Sequence, residues 1–180
     1  MCLLSSLSFL ALSVAISAAA TDGEDSLLVN AIVSRDNISF AECWKVEPGF
    51  QISNVTGTVG DQVLALGNMS NALLIIIPEG DGTPNDGGLH NGAHAQWVFA
   101  LTGGATVDFP EHPGRFSIGA GGIFISTDII GTSRLGHHTL WDAGSHFIQA
   151  PFPDGVPVGH TVVAETSCDE FLAMAGKEEE

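Results

Sequence analysis

A chain of 180 residues with a formal charge of −16, set by 21 acidic residues against 5 lysines and arginines, is repelled by nucleic acid, anionic membrane surfaces and acidic polymers. Hydrophobic residues make up 44% of it, and the roughly 160 residues left after the leader described next are the size of one domain with a sizeable core. The charge bears on partners and solubility, not on fold.

The N-terminus carries Leu3-Leu4 and an apolar stretch from Phe9 to Ala20, then changes abruptly to Thr21-Asp22-Gly23-Glu24-Asp25. This is the form of a secretory signal peptide over residues 1–20, cut near Ala20. It falls short of the ~20 residues that span a bilayer, and no later segment is apolar for long enough. The expectation is a secreted protein with no membrane attachment after cleavage. A single domain over residues 21–175 follows, then a short acidic tail over 176–180 that reads as a solvated, frayed end.

Inside the domain, the first predicted element is a helix over Ser26 to Ser34, where a cap-like Asp25-Ser26 precedes Leu27, Leu28, Val29 and Ile32. Short apolar runs separated by Gly, Pro, Asn and Asp then take over, and this texture favours an all-β domain. Candidate strands run from Glu42 to Val46, Asp61 to Leu66, Ala72 to Ile77, Gln96 to Leu101, Ala105 to Phe109, Arg115 to Ile118, Ile123 to Ser126, His138 to Trp141, His146 to Ala150 and Thr161 to Ala164. So many short strands in one domain suggest a sandwich or barrel. The stretch from Gly80 to Gly88 reads as a turn-rich connector. A second short helix is expected near Glu170 to Ala175.

Three sequons, Asn37-Ile38-Ser39, Asn54-Val55-Thr56 and Asn68-Met69-Ser70, are acceptors for N-glycosylation in a eukaryotic secretory pathway. Once Cys2 leaves with the signal peptide, Cys43 and Cys168 remain. Two cysteines in an oxidising compartment most simply pair, tying the start of the folded body to its end. The alternative is two free buried thiols; without a Cys-x-x-Cys pair, a zinc or thioredoxin-like role is disfavoured.

The chemistry-bearing residues gather in two segments, His90 to Gly103 and Gly136-His137-His138-Thr139. If the first is extended, His90, Gly92, His94 and Gln96 share one face. Imidazoles and a carboxamide converging from two strands suit a divalent metal or a polar ligand. His90-x-x-x-His94 does not fit a helical zinc site, because glycines precede and interrupt it and no Glu follows His90. There is no Gly-x-Ser-x-Gly nucleophile elbow, and Gly119-Ala120-Gly121-Gly122 lacks the fingerprint of a phosphate-binding loop. His112 and His160 read as surface or hydrogen-bonded residues, His146 could line the mouth of a barrel, and Trp97, Phe99 and Leu101 read as packing residues on the face opposite Gln96. His137 and His138 point to opposite faces of their strand.

These two segments, with Gly119 to Ile125 between them, resemble the two motifs of the cupin superfamily, small double-sheet jelly rolls, and among them the short secreted cupin-like proteins of fungi. The first family motif sets two His, a Glu and a Gly where this chain has His90, Gly92, Gln96 and Gly103. The second has a turn and a last ligand His, for which Ala120-Gly121-Gly122 and His137 stand. The resemblance covers about Leu89 to Gln149, somewhat over a third of the mature chain. It implies a double-stranded β-helix, a cupin jelly-roll barrel with one or two short helices, and allows a homodimer.

The resemblance also implies a divalent transition metal, Fe, Mn, Ni, Cu or Zn, at His90, Gln96 and His137, with His94 as a substitute ligand for the one lost at Gly92. Gln in place of Glu removes a negative charge, so affinity should fall below that of the usual three-His, one-carboxylate site. Two functions remain. One is a small enzyme acting on a small organic molecule, in secondary metabolism for example, by oxidation, isomerisation or cyclisation. The other is a non-catalytic secreted glycoprotein that binds a ligand or a partner. The catalytic residues, the substrate and the metal are not legible.

Overall fold

The computed structural model describes residues 26–177, so the expected signal peptide and residues 178–180 of the tail lie outside the described residues. In chain order the strands are β1 (Leu28–Arg35), β2 (Ile38–Val46), β3 (Gln51–Ile52), β4 (Gln62–Val63), β5 (Leu73–Ile76), β6 (Asn85–His90), β7 (Gln96–Thr102), β8 (Ala105–Asp108), β9 (Arg115–Ile118), β10 (Ile123–Ser126), β11 (His137–Trp141), β12 (His146–Pro151) and β13 (His160–Ala164). One helix, α1 (Cys168–Ala175), follows. The domain is all-β. Seven strands form a large sheet in the order β13-β2-β1-β10-β7-β12-β5, four form a smaller one in the order β6-β11-β8-β9, and β3 pairs with β4.

Alternation of side chains along each strand explains how the sheets stack. Ile32 of β1, Val98 and Ala100 of β7, Phe124 of β10 and Phe147 of β12 leave the large sheet on one side and meet Val107, Phe116 and Ile118 of the small sheet in a shared core. On the other side Val29, Ala31, Trp44, Trp97 and Ile125 form a second core, covered by Phe50, Leu64 and Leu66. The large sheet is therefore apolar on both faces through its centre.

That two-sided burial corrects the helix expected over Ser26 to Ser34: the segment is strand β1, between β2 and β10. Both alternate sets of a strand covered on both faces are apolar, and the resulting run mimics a helical stripe. The β-branched Val29, Ile32 and Val33 favour the strand.

Two further differences have local causes. The second half of the Gly80–Gly88 connector is the start of strand β6, hidden by its glycines; a Cβ on Gly87 would stand 2.9 Å from the Trp141 indole nitrogen and 3.0 Å from Thr139 O, beside a bulge in β11. The strand expected from Asp61 to Leu66 shrinks to Gln62–Val63, because Leu64 and Leu66 turn down onto the second core and Leu66 O accepts from Trp97 Nε1 at 2.9 Å.

The expected C-terminal helix is α1. Ser167 caps it by accepting from the Glu170 amide, and Asp169 and Glu170 put negative charge in its first turn. Cys168 is bonded to Cys43 and its amide donates to Asn30 Oδ1 at 2.7 Å, so the helix is pinned to β1 and β2.

Candidate functional site

Two cross-strand pairs face each other at one end of the space between the sheets. On the small sheet His90, the last residue of β6, lies opposite His137, the first of β11. On the large sheet Gln96, the first residue of β7, lies opposite Ser126, the last of β10. Both pairs line a cavity of about 260 Å³ whose walls also include Thr139, Gln149 and Trp141.

Hydrogen bonding fixes the two imidazoles. His137 Nδ1 lies 2.9 Å from Asp128 Oδ2, and His90 Nδ1 lies 3.0 Å from Gly88 O. A carboxylate and a carbonyl only accept, so Nδ1 carries the hydrogen in both rings and each neutral ring has a bare Nε2. The ring centres are 4.5 Å apart. Burial lowers the His90 pKa below the ordinary imidazole value, outweighing the support of Gly88 O, and the neighbouring His137 adds to the lowering.

Asp128 is fully buried and is held by Ser39 Oγ at 2.6 Å and Asn91 Nδ2 at 2.5 Å. Ser133 Oγ joins the same network through Ser39 and Asn91. These bonds satisfy the carboxylate, which also orients the His137 ring. Ser126 Oγ, in contrast, is buried without a hydrogen-bond partner among the described residues. An unsatisfied hydroxyl costs about 1–3 kcal/mol, which a polar ligand in the cavity would offset.

Of the sequence candidates, His90, Gln96 and His137 are brought together and His94 is not. The chain bends from Ala93 to Ala95, so the extended run expected from His90 to Gln96 is interrupted, and His94 is exposed in a neighbouring hollow. Gly92 lies under Ser126: a Cβ would stand 3.1 Å from Ser126 Oγ. His138 points away from the cavity, between Asp108 Oδ2 at 3.1 Å and Asp86 Oδ1 at 2.7 Å. Trp97 is fully buried in the second core and Phe99 packs against it, whereas Leu101 is exposed. His160 stacks on Trp44 and His112 leans on Phe40.

Sequence reasoning missed Asp128, Ser39, Ser133, Asn91 and Ser126. Only Asn91, inside the His-rich segment, carried a local signal. Ser39 and Ser126 sit on strands β2 and β10, Asp128 and Ser133 on the connection between β10 and β11, and side-chain hydrogen bonds join positions as distant as Ser39 and Asp128.

Two imidazoles and a neutral carboxamide supply three donors and no negative charge. Among the described residues no three His, Cys, Asp or Glu side chains gather into a metal-binding group. This donor set does not fit a tightly held transition metal. Compared with known proteins, the chain matches no family model, and no curated protein is significantly similar to it.

Proposed function

We propose that this chain is a secreted, glycosylated protein of the cupin jelly-roll type whose cavity moves a proton on a small organic molecule, an isomerisation or cyclisation through an enol. The observation that carries the reading is the His90–His137 pair, with each Nδ1 engaged and each Nε2 left for the cavity. The two stacked sheets and the order of the motif residues along them support the jelly roll. The exposed Asn37, Asn54 and Asn68 suit glycans, and the disulfide suits an oxidising compartment.

In this mechanism His137 Nε2 takes a proton from a carbon next to a carbonyl, and Asp128 stabilises the imidazolium that forms. Ser126 Oγ and the Gln96 amide donate to the developing enolate oxygen. His90 takes that proton at its bare Nε2 and delivers it at the second position. The proton that left one carbon is returned at another, so the step balances without an outside reductant or oxidant.

The test is deuterium uptake into a panel of small enolisable ketones, followed by proton NMR with the mature protein and with His90→Ala, His137→Ala and the double variant. The expected result is uptake above the buffer rate that falls about a hundredfold or more in His137→Ala. No uptake above buffer for any ketone, or an unchanged rate in the double variant, would overturn the enzyme reading. The orphaned Ser126 hydroxyl favours a second reading, a ligand-binding module. Ketone binding that persists in the double variant without uptake would establish it.

A further inference from the structure

A second hollow, about 470 Å³, adjoins the first and shares Ala93, Gln96 and Gln149 with it. Its other walls are largely apolar, with Leu73 from the start of β5, Ile129, Pro151 and Phe152. Gln149 lies opposite Leu73 on one side and Val98 on the other, so β12 carries the shared wall directly between the two spaces. The polar cavity alone falls below the ~300–1,000 Å³ of ordinary small-molecule sites, while the two spaces together fall within it.

We infer that the two hollows form one site for an amphipathic small molecule, with its carbonyl end between His90 and His137 and a flat or branched apolar part against Leu73, Ile129 and Phe152. This rests on the proton-transfer reading of the inner cavity and adds the substrate class. Gln96 and Gln149 stand at the junction, where their amides hold the polar atoms of the ligand while the apolar part is removed from water. The exposed Leu73 is free to cover such a group, because β5 is the outer strand of the large sheet.

The probes are butanone and benzylacetone, which share a methyl ketone and differ by a phenyl group. They are titrated into labelled mature protein and followed by proton–nitrogen correlation spectra, including the imidazole nitrogens. The expected result is that both perturb His90 and His137, that benzylacetone also perturbs Leu73 and Phe152, and that it binds about tenfold tighter or more. Leu73→Arg removes most of that difference. Equal affinities with shifts confined to the imidazoles would overturn the inference and leave the inner site standing. Benzylacetone shifts at Leu73 without any at the imidazoles would show two separate hollows and also overturn it. No imidazole shift with either ketone would overturn the reading of the inner site itself.

Discussion

Gly136 precedes β11 with φ at +71°, and a Cβ there would stand 2.1 Å from His90 O and 2.4 Å from the His90 carbonyl carbon. Close backbone approach at this glycine is what lets β6 end beside the start of β11, so that the two imidazoles come together. Gly136→Ala is expected to cost at least about 2 kcal/mol in urea denaturation and to separate the His90 and His137 rings in nuclear Overhauser spectra. Gly119→Ala, with open space around it and no positive φ, should stay within about 0.5 kcal/mol of the parent. Equal stability of the two variants would contradict the account. Ahead of the structure, His90, Gln96 and His137 stood out because imidazoles and a carboxamide gather in two short segments of the chain. Asp128 did not, since its function arises from a network whose members lie far apart in the chain.

At the scale of elements, β6 is an outer strand of the small sheet and carries His90, and its outward face is clamped through His138. His138 bonds first to Asp108 on β8 and then to Asp86 on β6, and these hydrogen bonds raise its pKa above the ordinary value. Because the folded value is the higher one, the contribution is fully present below an unfolded pKa of about 6.5 and is lost as pH rises through the folded value. Amide exchange in β6, corrected for its intrinsic pH dependence, is expected to be slowest below that window and to speed up above it. His138→Gln should flatten the profile; a profile unchanged by that substitution would sink the clamp. Strands with one covered face, such as β8 and β9, were readable from alternation and turn residues. β1, covered on both faces, and β6, rich in glycine, lacked the alternation on which strand recognition depends.

Across the whole molecule, the Cys43–Cys168 bridge joins residues 125 apart in sequence and holds α1 over the edge of the large sheet. Replacing both cysteines by alanine is expected to cost about 2–5 kcal/mol by urea denaturation, with α1 losing exchange protection first. Unchanged stability would show that the helix is held by Leu28, Phe171 and the cap alone. Class was legible at this scale, since short apolar runs between turn residues pointed to an all-β sandwich or barrel. How the sheets divide was not, because the order of strands is set by long-range register.

Two imidazoles that present bare Nε2 atoms to one cavity are the centre of the proposed chemistry. Long-range proton–nitrogen correlation spectra of the histidine rings at about pH 8, where an ordinary imidazole is neutral, measure this directly. The expected result is that His90 and His137 both carry the hydrogen on Nδ1, and that Asp128→Asn disturbs the His137 pattern while leaving that of His90. A hydrogen on Nε2 of His137 in the parent protein would remove the base on which the proposed chemistry depends.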